Sequence, residues 1–327
     1  MFVIFPNLFE PADFLKIPRT MLSLQLATIL LALLFDVVLA GTSVSKDLVG
    51  CDTSGVADSS FRSGFDITFY NYPFKNYNTA KGTGSPDRIT YTSADYLAGG
   101  YVDKGTFGST TGVKNLTFGY TLPASKTIYY GTLPDNYKFD TKFTLSNFSM
   151  LATGYFYAPT TGDYTFFLEY IDDYAVVTFG GEDAFTCCKS STSVDKTTTF
   201  DLSAMWTSGN KVGGSSSLTS HLYAGVFYPI RLFFSQTNNA GGLKFYYTDP
   251  EGITHKEFED VVYSIDDQPE SCPEIIVTTT LPWTGTYTTT AYTVDSTYTN
   301  SEGTLTTGRV VVVETPLPVT TTTKTFG

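Results

Sequence analysis

Apolar and polar residues alternate along this chain in short runs and do not recur every three or four positions. Phe143-Thr-Leu-Ser-Asn-Phe148, Tyr155-Phe-Tyr157, the stretch 163–170 (Asp-Tyr-Thr-Phe-Phe-Leu-Glu-Tyr), Ala175-Val-Val-Thr-Phe179, Ile230-Arg-Leu-Phe-Phe234 and Leu243-Lys-Phe-Tyr-Tyr247 each read as a strand. Successive side chains of a strand face opposite sides, so a half-buried sheet calls for this two-residue period. Between the runs lie Pro159-Thr-Thr-Gly162, Gly180-Gly181, Gly213-Gly214, Gly241-Gly242 and Pro250-Glu-Gly252, residue types that turn a chain. No amphipathic helical stretch longer than two turns follows residue 40. The pattern predicts an all-β sandwich or barrel over residues 45–272.

Two segments break the pattern. Lys16 and Arg19 precede the apolar run Met21–Phe35, and Val38-Leu39-Ala40 follows; charged, apolar and small residues in that order make a secretory signal peptide. A membrane anchor is the alternative, but Asp36 stops the run at about 15 residues, short of the ~20 a spanning helix needs. Residues 1–40 therefore read as a removed signal region with no membrane-spanning segment, and Met21 offers a second start that leaves residues 1–20 untranslated. At the other end, 20 of the 55 residues in 273–327 are Thr, the composition of an extended O-glycosylated stalk. The alternation in Trp283-Thr-Gly-Thr-Tyr-Thr-Thr-Thr290 leaves a small β repeat open for 281–315. The chain stops without the apolar tail of a lipid-anchor signal, as a fragment of a longer anchored protein does.

Charge and composition then narrow the chemistry. Twenty Lys+Arg against 32 Asp+Glu leave a net charge of −12, and an acidic chain without basic clusters is a poor partner for nucleic acid. The two histidines, His221 and His255, are far apart in sequence, which disfavours a zinc hydrolase or a His-based triad. In an oxidising compartment the four cysteines Cys51, Cys187, Cys188 and Cys272 read as two disulfides and not as a thiol nucleophile. A bond between the neighbours Cys187 and Cys188 is strained; the other two pairings both tie the central pair to Cys51 and Cys272 and so mark the domain ends. Asn115-Leu-Thr117 and Asn147-Phe-Ser149 are glycosylation sequons, so Asn115 and Asn147 are candidate glycan carriers.

One constellation carries candidate chemistry. Asp172 and Asp173 end the run 163–170 within an otherwise apolar stretch. Adjacent carboxylates are costly to bury unless something neutralises them, and Ca²⁺, which takes six to eight oxygen ligands, does so. The oxygen-rich stretch Ser235-Gln-Thr-Asn-Asn-Ala-Gly-Gly242 follows the run Ile230–Phe234 and offers further ligands. A plain β-turn at a strand end is the competing reading.

The stretch Gly154-Tyr-Phe-Tyr-Ala-Pro-Thr-Thr-Gly-Asp-Tyr-Thr-Phe166 followed by Asp172-Asp173 resembles the PA14 domain. Gly225-Val-Phe-Tyr-Pro-Ile-Arg-Leu-Phe-Phe234 and Gly242-Leu-Lys-Phe-Tyr-Tyr-Thr-Asp-Pro-Glu-Gly252 are similar to that fold's final strands. Cys187-Cys188 and the Trp283 repeat narrow the resemblance to yeast flocculins and adhesins of the PA14/GLEYA type. It implies a cis Asp172–Asp173 peptide whose two side chains bind one Ca²⁺, which in turn holds two hydroxyls of a terminal sugar. The family's third side-chain ligand, an Asn, falls on Gln236 here, with carbonyls of Asn238 and Ala240 beside it; a shifted loop makes Asn238 the ligand instead. The sugar contacts implied are Asp172, Asp173, Thr186, Asn238, Asn239 and Gly241. Galactose-preferring members carry a Trp before the cysteine pair, where this chain has Thr186, which points to mannose or N-acetylglucosamine.

The resemblance thus implies a non-enzymatic, Ca²⁺-dependent lectin at a fungal cell wall, a monomeric domain displayed in many copies and binding terminal sugars of wall or host glycans. The alternatives are a structural wall glycoprotein, or an accessory domain of a glycoside hydrolase. Adjacent carboxylates, however, cannot straddle a glycosidic bond across the roughly 5–9 Å that hydrolysis requires.

Overall fold

The computed structural model describes residues 42–46, 48–72, 75–78, 83–85, 92–122, 128–181, 183–188, 200–206, 213–237, 239–266, 272–283, 289–299 and 305–316; the signal region 1–40 lies outside the described residues. In chain order the principal strands are β1 (Gly50–Cys51), β2 (Phe65–Asn71), β3 (Thr106–Val113), β4 (Phe118–Tyr120), β5 (Phe148–Tyr157), β6 (Gly162–Asp172) and β7 (Tyr174–Phe179). They continue with β8 (Leu202–Met205), β9 (Gly214–Leu222), β10 (Phe227–Gln236), β11 (Gly241–Thr248), β12 (Glu274–Trp283), β13 (Thr289–Thr299) and β14 (Leu305–Pro316).

Two sheets face each other. In one, β9, β6 and β11 are successive neighbours, with Thr42–Ser45 beyond β9 and with β4 and Thr254–His255 on β11. In the other the order runs β8-β7-β10-β5-β2-β3. The two-residue period decides which side chains lie between them. Phe148, Met150, Ala152 and Phe156 of β5, Ile230, Leu232 and Phe234 of β10, and Phe166 and Leu168 of β6 all belong to one buried cluster. Phe156 meets Phe166 at 5.0 Å and Tyr247 at 5.1 Å, both edge-on across the sandwich, the arrangement aromatic quadrupoles favour.

The outward positions of β5 and β10 are covered as well. Tyr96 and Tyr101, from the short helical turns at Tyr96–Gly100 and Val102–Lys104, pack on Phe233. The buried Arg231 donates to the Tyr101 hydroxyl at 2.7 Å, and the Tyr96 hydroxyl joins Ser149 and Ser235 in a chain of 2.8 Å contacts. Burial therefore does not leave these polar groups unsolvated at a cost.

Five of the six expected runs fall within single strands. The sixth is cut: Phe143-Thr144 pair with Tyr130-Gly131, and the chain turns before β5 begins at Phe148. The Thr144 hydroxyl closes that turn by donating to the Asn147 carbonyl at 2.6 Å. β9 carries no apolar alternation to announce it, since Ser216 and Ser220 occupy two of its four buried positions. Its register is set by antiparallel pairing with β6, from Gly162↔Leu222 to Leu168↔Ser216.

The disulfides join Cys51 to Cys187 and Cys188 to Cys272, with Cα–Cα distances of 5.5 and 5.4 Å, which resolves the pairing the sequence leaves open. Beyond Cys272 the chain forms strands. β12 pairs with β1 through Gly50↔Ile275 and lies parallel to β14, while β13 is antiparallel to β14. Sheet pairing thus crosses the Cys272 boundary, and the described residues between 274 and 316 lie in these three strands. Among the described residues no helix is long and apolar enough to cross a membrane.

Candidate metal and sugar site

The acidic pair sits where the chain passes from one sheet to the other. β6 ends at Asp172 and β7 begins at Tyr174. Just before the crossing the register shifts: Glu169 pairs with Lys244, but Asp172 pairs with Gly242, so β6 carries one extra residue there, a bulge that re-aims the strand end. The Asp172–Asp173 peptide is cis. Asp172 is partly exposed, whereas Asp173 is 6% exposed.

Asp173 is anchored by the residue that follows β10. Its Oδ2 accepts the Thr237 backbone N–H at 2.7 Å and the Thr237 hydroxyl at 2.5 Å, and its carbonyl accepts from Trp206 N at 2.8 Å. Gln236 ends β10 wholly buried, its Nε2 donating to the Ala240 carbonyl at 2.5 Å. Asn239 holds a left-handed φ of 61°, a conformation Asn tolerates better than most side chains. Gly241 then opens β11 opposite Tyr120 of β4, and a Cβ there would stand 2.6 Å from the Tyr120 ring. Burial first, and then the charges of Asp173 and Asp172, hold the Tyr120 hydroxyl well above the usual phenol range. That hydroxyl donates to the Leu145 carbonyl at 2.5 Å.

The fold therefore gathers Asp172, Asp173, Gln236, Asn239, Ala240 and Gly241 around one corner; Asn238 lies outside the described residues. Among the described residues no group of three or more His, Cys, Asp or Glu side chains is assembled. The donor set of this corner is two carboxylates completed by an amide and main-chain oxygens, the hard-oxygen chemistry Ca²⁺ takes.

Two expectations need correction. Thr186 lies beyond the far end of β7, among Phe185, Cys187 and Cys188. β7 has six residues at about 3.3 Å each, which puts Thr186 roughly 20 Å from Asp173. It is therefore no sugar contact of the acidic pair, and its identity says nothing about galactose. Asn147 is 2% exposed; its Nδ2, the atom a glycan would occupy, donates to the Tyr72 carbonyl at 2.5 Å, and its Oδ1 accepts from Ser146 at 2.8 Å. A glycan there is incompatible with the folded state. Asn115 is half-buried, with its Nδ2 3.4 Å from Glu257 at the surface. Peptide mapping of the secreted protein by mass spectrometry is expected to find glycan at Asn115 and none at Asn147.

Sequence reasoning missed Thr237 and Tyr120. Thr237 is silent in sequence because its N–H and hydroxyl meet Asp173 64 positions away, and Tyr120 because it reaches the site from a three-residue strand about fifty positions away in the chain.

Comparison with known proteins bears on what such a corner is. Residues 148–249 match the GLEYA domain and residues 276–316 the Flocculin repeat. The chain is 30% identical over 258 residues to Flocculation protein FLO1 of Saccharomyces cerevisiae, covering 70% of this chain and 16% of that one. It is 29% identical over 299 residues to Flocculation protein FLO9 of the same yeast, covering 79% and 21%. The chain thus spans about a fifth of the length of these curated relatives. Among solved structures, the Epithelial Adhesin 6 A domain of Candida glabrata, in complex with Galβ1-3GlcNAc, is 30% identical. It superposes with a TM-score of 0.60 over 69% of this chain and 96% of that one. The Epithelial Adhesin 9 A domain of Candida glabrata, in complex with Galβ1-4GlcNAc, is 26% identical with a TM-score of 0.61, covering 69% and 99%.

The chain belongs to the family of fungal GLEYA-domain adhesins that includes the flocculation proteins and the epithelial adhesins. It is accordingly a secreted, cell-surface protein of all-β fold, in a compartment where two disulfides persist.

Proposed function

We propose that residues 45–272 are a Ca²⁺-dependent lectin domain that recognises terminal sugars such as mannose or N-acetylglucosamine on cell-wall glycans without cleaving them. The observation that carries this reading is the buried Asp173, clamped by Thr237 beside Asp172, the Gln236 amide and the Ala240 carbonyl. Two neighbouring carboxylates facing a neutral phenol are electrostatically unfavourable by themselves and complementary to a divalent cation.

The residues fit that ion. Asp172 and Asp173 supply charge, Gln236 an amide oxygen, and Asn238 and Ala240 main-chain oxygens. The Gln236 amide turns its nitrogen to Ala240 O, the arrangement that avoids two oxygens side by side; a half-turn of the amide sets both oxygens together, as a cation between them favours. Gln is one methylene longer than the Asn of related sites, and its place at the end of β10 gives the longer arm a rigid base. When bound, the ion offers open positions to a pair of sugar hydroxyls, and the connection Asn239–Gly241 borders them. One hydroxyl pair makes a weak single site, so adhesion depends on many copies acting together. The Thr-rich repeat that follows is proposed as the stalk that displays them.

Titration with CaCl₂ under thermal melting tests the reading. A ligand bound only by the folded state at a hundred times its Kd adds about 2.7 kcal/mol, a rise of several degrees for a domain of this size. EDTA is expected to abolish both that rise and all signal on a glycan array carrying mannose, N-acetylglucosamine and galactose termini. A flat melting response would instead leave a structural wall glycoprotein.

A further inference from the structure

We propose that Tyr170 is an aromatic platform for the second sugar of a bound glycan, so that the site reads a disaccharide and not a terminal residue alone. The inference rests on the calcium-lectin reading of Asp172 and Asp173. Four observations converge on this side chain. Tyr170 is 53% exposed two residues before Asp172, while most large aromatics among the described residues are buried. It occupies the β6 bulge with φ of 51°, a conformation bulky side chains rarely adopt and one that marks functional positions when it occurs.

Glycines from three neighbouring segments make room for it. A Cβ at Gly242 of β11 would stand 2.8 Å from the ring, one at Gly119 of β4 3.7 Å from it, and one at Gly213, next to β9, 2.5 Å from the Tyr170 backbone. The ring thus lies on a bare strip of main chain. Finally, the exposed Lys244 holds its ammonium 5.4 Å from the ring centroid, loose enough to swing aside and donate to a sugar hydroxyl.

The strip leads to the acidic pair. Gly119, Gly242 and Asp172 are cross-strand partners in one row. Neighbouring strands stand about 4.8 Å apart, so the ring begins one strand spacing from Asp172, the step of one sugar unit along a glycan. The apolar face of a pyranose stacks on an aromatic ring, a contact of the strength that aromatic pairs provide. An anionic glycan is not required, since Lys244 serves as a hydrogen-bond donor.

The test compares monosaccharides with disaccharides by isothermal titration of the full chain in calcium: methyl α-mannoside against mannobiose, and N-acetylglucosamine against chitobiose. Wild type is expected to bind the preferred disaccharide about tenfold more tightly than its monosaccharide. Tyr170→Asn, which suits a positive φ and so is expected to fold, brings that ratio close to one, and Tyr170→Phe keeps it. A role confined to covering the bulge would lower the melting temperature and leave the ratio alone. A ratio equal in wild type and Tyr170→Asn overturns the inference while the calcium reading stands. Wild type that shows neither a calcium-induced melting shift nor any sugar binding overturns both.

Discussion

Asp173→Asn is expected to remove calcium binding, and sugar binding with it, while leaving the sandwich folded. The substitution keeps the shape of the side chain and keeps an oxygen able to accept from the Thr237 N–H, so the contacts that fix the corner survive in part. What disappears is one of only two negative charges in the ligand set. Loss of a mere supporting contact costs roughly 10–100-fold in metal affinity; loss of a charged ligand is expected to exceed that, beyond about a hundredfold. Isothermal titration with CaCl₂ reads the first effect, the glycan array the second, and circular dichroism melting in EDTA checks that the fold persists. In EDTA the variant should melt at or above the wild-type temperature, because the repulsion between two adjacent carboxylates, one of them buried, has been removed. Glycan binding by Asp173→Asn at wild-type strength would show that the sugar is held elsewhere.

The sandwich and the acidic pair are legible in the sequence for the same reason: both are local. The alternation in 163–170 reports which face of one strand is buried, and two consecutive carboxylates in an apolar stretch report an electrostatic problem that needs a solution. What is not legible depends on contacts far apart in sequence. β9 is hidden because its inward serines look polar in a strip of sequence, although burial between β6 and the core decides their place. Thr186 misleads because six residues of β7 separate the cysteine cluster from the acidic pair, a distance that sequence proximity conceals. Asn147 satisfies a sequon in writing, yet its amide is used to close the chain against Tyr72, 75 positions earlier. The ring of Tyr170 shows the same limit. Its exposure follows from glycines on three other segments, and no pattern within β6 announces it.

Removing the Cys51–Cys187 disulfide as a pair, Cys51→Ser with Cys187→Ser, is expected to cause the largest loss of stability of any change named here. The bond closes a loop of 136 residues and its companion Cys188–Cys272 one of 84. The chain-entropy relation gives about 5 kcal/mol for each, since the cost of closure rises only with the logarithm of loop length. For a domain of this size that corresponds to a fall of about 10–20 °C in Tm, measurable by calorimetry in EDTA so that calcium does not mask it. Both residues must be changed together, because a lone Cys187 thiol lies next to Cys188 and would exchange with its bond. The two losses differ in where they are felt. Cys51 ends β1, and β1 is flanked by β10 through Phe227 and by β12 through Gly50↔Ile275 and Cys51↔Glu274. Without its bond, β1 and β12 are held to the sandwich by these few pairings, the Asp52 N–H to Pro273 carbonyl bond and the Cys188–Cys272 disulfide at the base of β12. The Cys51→Ser, Cys187→Ser variant is therefore expected to be cleaved between Cys272 and Trp283 by low protease, at temperatures where it still binds calcium at the distant acidic corner. Calcium affinity lost in parallel with that cleavage would mean that the two ends of the sandwich unfold as one unit.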